Sequence, residues 1–290
     1  QKTTPKNKGA PMKRILSIQD ISCIGKCSQT IALPVLSAMG IETSIIPTAV
    51  LSAHTMFPGF TFRDLTDDIP DIINHWLSLD INFDGILTGY LGSARQIDMI
   101  SNIYEQFRQD NTIIILDPVF ADKGRMYTGF DIDYANKLGS LCSKADYIVP
   151  NITEACYLAG VPYKEEYDID FIEKIMDILV DKGAKNVIVT SIQTNNKNGI
   201  VCRLQNEDSF SVFRDNIDAP FHGTGDLFAS TFAGGLINGM TAYEAATLAV
   251  DYVNETLKAT MEDNKHNWYG VNFETTIPYL TDRIRKKNEN

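Results

Sequence analysis

The chain has 290 residues, of which 44% are hydrophobic, so it is long enough to bury a sizeable core. Its 37 acidic residues outnumber its 26 basic residues, and a formal net charge of −11 argues against non-specific binding of nucleic acid. No apolar run approaches the roughly 18 residues that a membrane-spanning helix needs, so we expect no membrane partner.

The five cysteines are scattered over the chain and form no C-x-x-C pair. Their number is odd, so the sequence indicates neither a disulfide framework nor a zinc site. Free thiols are typical of a reducing compartment, and we therefore expect a cytoplasmic protein. Residues 1–11 are polar and contain lysines, and we expect them to be a disordered extension or a cloning remnant. Residues 12–290 contain no linker or repeat and are expected to form a single domain.

Short apolar runs alternate with helical patterns along the chain. Strands are predicted at 14–18, 44–51, 83–88, 112–116, 147–149 and 187–189. Helices are predicted at 28–39, 63–79, 94–109, 170–182, 225–238 and 242–261. Residues 199–204 and 210–213 alternate in polarity, as the two strands of an antiparallel edge hairpin do. The pattern predicts an α/β fold with a mostly parallel sheet, helices on both faces and this small hairpin at one edge.

Polar residues follow the apolar strands at the point where each predicted strand ends. They are Asp20, Asp117, Asn151, Thr190 and Ser191. In an open parallel sheet, ligands bind in the crevice outside the carboxyl ends of the strands. We therefore expect these side chains to lie along one rim of the sheet.

A glycine-rich turn, Gly223-Thr224-Gly225-Asp226, runs into an apolar helical pattern. Glycines let the backbone approach a ligand closely, and free amides at a helix N-terminus attract anions. Asp226 can cap the helix, or it can take a proton from a hydroxyl that attacks a phosphoryl group. An ordinary turn before a buried helix explains the same residues, and the stretch alone does not decide between these interpretations.

Several common catalytic motifs are missing from the sequence. There is no G-x-x-x-x-G-K-[ST] loop, because Asp20 stands where the leading glycine before Gly25-Lys26 would be. There is no G-x-G-x-x-G after the first strand and no G-x-S-x-G anywhere. The sequence thus disfavours a Walker-type nucleotidase, a dinucleotide dehydrogenase and an α/β-hydrolase.

The glycine-rich turn is similar to the anion-hole and base signature of the ribokinase-like superfamily, and seven stretches in order resemble pyridoxal kinases. These are Ser17-Ile18-Gln19, Val50-Leu51-Ser52-Ala53-His54-Thr55, Gly89-Tyr90-Leu91-Gly92-Ser93, Asp117-Pro118-Val119, Pro150-Asn151-x-x-Glu154, Thr190-Ser191 and Gly223-Thr224-Gly225-Asp226. The resemblance spans about residues 13–261. It implies a ribokinase-like kinase domain over 12–290 that transfers the γ-phosphoryl group of ATP to the 5′-hydroxymethyl group of pyridoxal, pyridoxine or pyridoxamine in vitamin B6 salvage.

The resemblance also implies a role for each matched residue. Asp226 would be the general base, and the amides of Gly223, Thr224 and Gly225 would form the anion hole. Asp117, Asn151 and Glu154 would order Mg²⁺ and its waters; Thr190, Ser191, Asp122 and Tyr127 would lie at ATP; and Asp20, Val50, His54, Thr55 and Tyr90 would border the vitamer. ATP and Mg²⁺ are the implied cofactors, a monovalent cation such as K⁺ stays an open addition, and the family's usual assembly is a homodimer.

One position departs from the family pattern. Pyridoxal kinases usually carry serine after Ser-Ile-Gln, whereas this chain has Asp20. A carboxylate there can pair with a ring nitrogen or hydroxyl of a vitamer, with an aminopyrimidine, or with a sugar hydroxyl. Hydroxymethylpyrimidine kinases also carry an aspartate in their first loop, so a hydroxymethylpyrimidine (phosphate) or another small hydroxymethyl compound remains an alternative acceptor. A non-catalytic binding protein of the same fold remains a second alternative.

Single residues of the set also have purely structural explanations. Asp117 precedes a proline and can begin a turn. Asn151 and Glu154 have the spacing of a helix N-cap and its third residue, which is the spacing of a capping box. Thr190 and Ser191 can be ordinary turn residues.

Overall fold

The structure is a computed structural model that describes residues 12–217 and 221–289. The expected extension, residues 1–11, lies outside this range. Within the range, nine strands form one sheet in the order β11-β10-β9-β8-β5-β4-β1-β2-β3, and two short strands pair separately. The strands are β1 Arg14–Ser22, β2 Glu42–Leu51, β3 Phe62–Asp64, β4 Gly85–Thr88, β5 Ile113–Leu116, β6 Ala121–Asp122, β7 Arg125–Met126, β8 Tyr147–Ile148, β9 Asn186–Thr194, β10 Lys197–Arg203 and β11 Phe210–Asp215.

Six adjacent strands of this sheet run parallel to one another: β9, β8, β5, β4, β1 and β2. The outer strands β3, β10 and β11 pair antiparallel. Helices cover both faces of the sheet. They are α1 Gln29–Ala38, α2 Ile69–Ser78, α3 Ala94–Phe107, α4 Ile132–Cys142, α5 Ile152–Ala159, α6 Ile169–Asp181, α7 Thr224–Ile237, α8 Ala242–Glu262 and α9 Phe273–Glu289. The predicted α/β architecture with a mostly parallel sheet and an antiparallel edge hairpin is confirmed.

The two faces of the sheet bury two separate cores. One core contains side chains of α2 to α6, and the other contains side chains of α1, α7, α8 and α9. Along β5, Ile114 and Leu116 belong to the first core and Ile115 to the second. Because successive strand residues point to opposite faces, a strand covered on both sides must be apolar throughout, which explains its unbroken run of isoleucines.

The predicted helix at 63–79 is wrong in its first part. Phe62–Asp64 forms strand β3 against the end of β2, and the helix begins only at Ile69. The carboxylate of Asp64 accepts a hydrogen bond from the Thr66 amide at 2.6 Å, which stabilises a turn between the two elements. Pairing with β2 therefore overrides the local helical pattern of these residues.

Two strands continue well beyond their predicted C-terminal ends. β1 continues through Asp20 to Ser22 with a shift of register between Gln19 and Ile21, and β9 continues past Thr190 to Thr194 because β10 pairs with it. The helices α4, α5 and α9 and the small β6–β7 hairpin were not among the predicted elements, although the spacing of Asn151 and Glu154 indicated a helix start at α5. None of the helices in the described part of the chain is long and apolar enough to cross a membrane.

Candidate active site

The N-terminus of α7 opens onto the rim at the carboxyl ends of the parallel strands. Gly223 is the N-cap residue at φ 87°, a conformation that favours glycine, and it has no side chain that could accept a hydrogen bond from the first amides of the helix. A Cβ at Gly223 would lie 2.1 Å from the carbonyl oxygen of Lys26, so this backbone also packs against another loop. A Cβ at Gly225 would meet none of the described atoms within 4 Å. The helix therefore presents its first turn to open space.

Four carboxyl groups near the start of this helix lie close enough to shift one another's pKa. Burial raises the pKa of Asp226 to about 7, and the charge of Asp20 adds to this effect. Burial and the charge of Asp226 raise the pKa of Asp117, and burial and the charge of Asp117 raise the pKa of Glu154. Carboxylates that raise one another's pKa form a site that a cation would stabilise.

Glu154 is buried and holds the backbone around it. Its Oε1 accepts hydrogen bonds from the amides of Phe120 at 3.1 Å and Ala121 at 3.4 Å, and its Oε2 accepts from the Asn151 amide at 2.9 Å. Asn151 Oδ1 accepts from the Glu154 amide at 3.0 Å, which completes a capping box at the start of α5. The capping-box explanation is therefore confirmed, and it places the carboxyl group beside Asp117.

Asp20 lies at the register shift of β1 and is buried. Its Oδ1 accepts a hydrogen bond from the Ser28 hydroxyl at 2.5 Å, and its Oδ2 accepts from the Ser22 hydroxyl at 3.2 Å. Burial raises its pKa. Burial, followed by the charges of Asp20 and Asp64, raises the pKa of Tyr90 to about 12, so Asp20 lies near Tyr90 as well as near Asp226.

The β6–β7 hairpin brings Asp122 and Tyr127 to the same rim. Burial and then the charges of Glu154, Asp122, Asp117 and Asp226 raise the pKa of Tyr127, so its ring lies near the carboxyl cluster. Tyr127 is nevertheless 42% exposed, so part of the residue is accessible to a ligand.

Two histidines lie beside the glycine-rich turn. The rings of His54 and His222 have their centroids 4.8 Å apart. Burial lowers the pKa of both histidines, and the charge of His222 lowers the pKa of His54 further. Neutral imidazoles suit the border of an organic acceptor better than charged ones.

The other candidate residues are less closely tied to the carboxyl cluster. Val50 lies in β2 between Ile21 and Arg63 of its neighbours, and Thr55 is exposed in the loop after β2. Thr190 pairs with Asn151 through an isolated bridge. Ser191 follows in β9, exposed and at φ 59°. Among the described residues, no hydrogen bond joins the side chains of Thr55 or Ser191 to the cluster.

Comparison with known proteins identifies the family. A family model described as phosphomethylpyrimidine kinase matches residues 36–270. The chain belongs to the phosphomethylpyrimidine kinase family. It is 29% identical to a pyridoxal kinase of Dictyostelium discoideum over 282 residues, which cover 88% of this chain and 91% of that protein. The resemblance to pyridoxal kinases is thereby confirmed, and the chain is a kinase-type phosphotransferase.

Two solved structures in this kinase family have the same fold. Pyridoxal kinase of Lactobacillus plantarum is 30% identical with a TM-score of 0.87, covering 93% of this chain and 97% of that one. A Bacteroides thetaiotaomicron protein, provisionally described as a phosphomethylpyrimidine kinase and crystallised with pyridoxal, is 37% identical with a TM-score of 0.88. The coverage there is 93% of this chain and 96% of that one.

Sequence reasoning about the kinase missed Ser22 and Ser28. Ser28 was predicted to be the first residue of the helix at 28–39, whereas in the structure it is the residue before α1. Its hydroxyl binds Asp20, eight residues earlier. No local sequence signal reports this contact, because it depends on how the loop after β1 folds back.

Proposed function

We propose that this chain transfers the γ-phosphoryl group of ATP to the 5′-hydroxymethyl group of pyridoxal, pyridoxine or pyridoxamine, with Asp226 as the general base. The observation that carries the proposal is a carboxyl group with a pKa of about 7 in the first turn of a helix whose amides face open space. The relatives described as pyridoxal kinases, and the Bacteroides protein crystallised with pyridoxal, support the choice of acceptor.

The first turn of α7 is suited to the transferred phosphoryl group. The amides of Gly223, Thr224 and Gly225 form the anion hole, and the positive end of the helix dipole adds to their effect. No described atom lies within 4 Å of the position that a Cβ on Gly225 would occupy, so there is room for a ligand at this point. Fixed donors of this kind stabilise the charge that develops on the transferring oxygens without reorganising during the reaction.

Asp226 performs the proton transfer. The Ser28 amide lies near its carboxylate and lowers its pKa in part, against the larger effect of burial. In its ionised form Asp226 accepts the proton of the acceptor hydroxyl as the oxygen attacks phosphorus. A base with a pKa near the working pH combines adequate ionisation with adequate proton affinity.

The carboxyl cluster fits Mg²⁺. The charges that raise the pKa of Asp117 and Glu154 belong to other carboxyl groups, so a divalent cation would offset a repulsion that is already present. Glu154 already accepts three amide hydrogen bonds, and Asn151 uses its side chain on Glu154 and on the Ala121 carbonyl. We therefore assign Asp117 the more direct role and the other two the ordering of metal-bound water. Mg²⁺ keeps several waters in such sites and neutralises phosphate charge when bound.

The remaining residues divide between the two substrates. Asp20, Tyr90 and His54 border the acceptor ring with Val50 and Thr55. The nucleotide lies along the rim towards Asp122, Tyr127, Thr190 and Ser191. Asp122 and Tyr127 are supported by their electrostatic proximity to the cluster, and Thr190 by its bridge to Asn151. The roles of Thr55 and Ser191 are proposed from the family resemblance alone.

A comparison of four acceptors tests the proposed function. ATP consumption is measured with Mg²⁺, with and without K⁺, against pyridoxal, pyridoxine, pyridoxamine and hydroxymethylpyrimidine. We expect the highest kcat/KM for a B6 vitamer and loss of turnover when EDTA removes Mg²⁺. The match to a phosphomethylpyrimidine kinase model makes the pyrimidine the second candidate, and a preference for it would keep the mechanism and overturn the acceptor. Absence of turnover with all four acceptors would contradict the proposed function.

The pH dependence of turnover follows from the pKa of Asp226. We expect kcat/KM for the acceptor to fall about tenfold per pH unit below pH 7, because only the ionised carboxylate accepts a proton and its pKa is about 7. Bound Mg²⁺ favours the ionised form, so both this limb and that of kcat should move to lower pH as the Mg²⁺ concentration rises. Steady-state kinetics between about pH 5 and pH 9 measures both limbs. A profile of kcat/KM that is flat through pH 7 would contradict the assigned pKa.

The wider setting of the enzyme is also part of the proposal. We assign residues 12–290 to a single kinase domain, in keeping with the continuous sheet of the described residues. The five free cysteines support a reducing, cytoplasmic location. A homodimer is proposed from the family resemblance.

A further inference from the structure

Lys26 lies in the loop after β1, and its side chain is held at its charged end. The ammonium group donates hydrogen bonds to Glu274 Oε2 at 2.8 Å and to Asn272 Oδ1 at 3.2 Å. It also lies 5.9 Å from the centre of the Phe273 ring. Only 14% of the Lys26 side chain is exposed, and lysine is rarely buried to this extent unless it is paired. Fixing a lysine side chain costs conformational entropy, so these contacts hold it against its own freedom.

Residues 270–274, which we call the clamp segment, also hold the stem of this side chain. A Cβ at Gly270 would lie 2.5 Å from Lys26 Cβ and 3.1 Å from its Cγ, so glycine lets the backbone lie directly against the stem. Asn272 is fixed in turn, because its Nδ2 donates to Asp263 Oδ2 at 2.9 Å and its Oδ1 thereby faces Lys26. The clamp segment therefore contacts Lys26 from its Cβ to its ammonium group.

The backbone of Lys26 supports the glycine-rich turn. Its carbonyl oxygen would lie 2.1 Å from a Cβ at Gly223, the N-cap residue of α7. The N–H of the same peptide unit, which belongs to Cys27, donates to Thr30 Oγ1 at 3.3 Å. The Gly223 carbonyl accepts from the Leu227 amide at 2.9 Å in the first turn of α7. A displacement of the Lys26 peptide unit would therefore displace the residue from which the first turn of α7 begins.

The connection between α8 and α9 also contacts this turn directly. The ring of His266 meets the ring of Phe221 edge-on, with centroids 5.1 Å apart, two residues before Gly223. Residues 266–274 thus contact both the glycine-rich turn and the loop that supports it. The family resemblance, which spans about residues 13–261, assigns no role to this connection.

We propose that Lys26 is a positioning residue for the anion hole. The clamp segment holds its side chain, and its carbonyl oxygen supports Gly223 and hence the amides that follow. When the clamp segment releases the side chain, the Lys26 peptide unit can shift, and the amides of Thr224 and Gly225 lose their alignment with the transferred phosphoryl group. The part that concerns this alignment rests on the proposed function, whereas the support of the turn does not.

Amide hydrogen exchange of Leu227, measured by NMR, tests the support of the turn without any turnover. We expect Lys26→Met to increase this exchange rate about tenfold, because methionine keeps a stem beside Gly270 but lacks the ammonium group, so the first turn of α7 opens more easily. The amide of Ala245 donates to the Thr241 carbonyl at 2.9 Å in the first turn of α8, and it is the internal control that should keep its wild-type rate. An unchanged rate at Leu227, or an equal increase at Ala245, would overturn the proposal.

Kinetics tests the alignment of the anion hole. We expect Lys26→Met to lower kcat about tenfold with KM for the acceptor changed less than about twofold, because the misaligned amides act on the transferring phosphoryl group and not on the bound acceptor. Glu274→Ala changes a half-exposed residue and should lower kcat about threefold, since Asn272 still accepts from the ammonium group. The double variant should lose no more than Lys26→Met alone. Wild-type kcat in Lys26→Met, or additive losses in the double variant, would overturn the positioning role.

The directions of the two effects separate positioning from a change of charge. Lys26→Met removes a positive charge and Glu274→Ala removes a negative one, so an effect of charge alone would move kcat in opposite directions. Release from the clamp segment lowers kcat in both, and a higher kcat in Glu274→Ala would contradict the proposal. Lys258→Met removes an exposed lysine that pairs with Glu255 at 2.9 Å, and this matched control should leave kcat and the exchange at Leu227 unaltered.

The exchange measurement also separates this inference from the proposed function. If the wild-type chain turned over none of the four acceptors, the proposed function would fail. The exchange rates at Leu227 in the wild-type chain and in Lys26→Met would still decide whether Lys26 supports the turn.

Discussion

Asp226→Asn is expected to lower kcat by roughly 10²–10⁴-fold, the usual range for a lost general base, with little change in KM for ATP or acceptor. Asparagine has nearly the same shape as aspartate and keeps an oxygen near the Ser28 amide, which lies close to the carboxylate in the wild-type chain. What it lacks is the ability to accept the proton. Steady-state kinetics with the best acceptor measures the loss, and near-wild-type turnover would remove Asp226 from the mechanism.

The same variant should be more stable than the wild-type chain at pH 8. The pKa of Asp226 is raised from 3.8 to about 7 in the folded state, so the folded chain binds more protons than the unfolded chain between these values. Its stability is therefore highest below the unfolded pKa and falls as pH rises through about 7. Asparagine removes this penalty, which is on the order of a few kcal/mol for a shift of this size.

Denaturant unfolding at pH 5 and pH 8 measures the stability change. Asp67→Asn is the matched control, because Asp67 is exposed and contacts only Arg95 among the described ion pairs, at 2.6 Å. The control should leave turnover and the pH dependence of stability unaltered. A loss of activity in Asp226→Asn together with lower stability at pH 8 would indicate a structural role rather than a catalytic one.

The second large effect is a contrast between two glycines of the same turn. Gly223→Ala should lower the free energy of unfolding by about 2 kcal/mol or more, because its Cβ would lie 2.1 Å from the Lys26 carbonyl oxygen at φ 87°. Gly225→Ala should leave stability unchanged or raise it by up to about 1 kcal/mol, since alanine is the better helix former. Its methyl group, however, would occupy the space assigned to the phosphoryl group and lower kcat about 10²-fold.

Gly239→Ala serves as the control for backbone conformation. Gly239 has φ 77°, and no atom of residues 12–217 or 221–289 would lie within 4 Å of a Cβ there, so its substitution measures the cost of the positive φ alone, about 1 kcal/mol. The loss of stability in Gly223→Ala beyond that in Gly239→Ala then measures the clash of the new Cβ with the Lys26 carbonyl oxygen. Unfolding experiments and kcat on the three variants complete the comparison. Wild-type kcat in Gly225→Ala would exclude the phosphoryl group from the space in front of α7.

The sequence predicted most of the sheet and the order of its functional residues. The unbroken apolar run of β5 predicts a buried parallel strand, since both faces of that strand meet apolar helices. The glycine-rich turn before α7 predicts an open helix N-terminus. These features are local, because they depend on the periodicity of side chains and on the conformational freedom of glycine.

Other features depended on contacts between distant residues. Phe62–Asp64 became a strand because β2 offered an unpaired edge, although the residues themselves favoured a helix. Asp20 was predicted to lie beyond the end of a strand, whereas it lies inside β1, buried against two serines. Neither outcome is encoded within a window of neighbouring residues, because pairing and burial are set by elements that lie far away in the chain.

The amino-acid sequence by itself determined the α/β class, the kinase family and the identity of the carboxyl groups at the site. Only the tertiary structure decided how strongly those carboxyl groups raise one another's pKa. Asp20, Asp117, Glu154 and Asp226 come from four separate segments, and their pKa values rise because the fold buries them together. A pKa depends on the solvent and charges around a group, and those surroundings exist only once the strands and α7 have assembled.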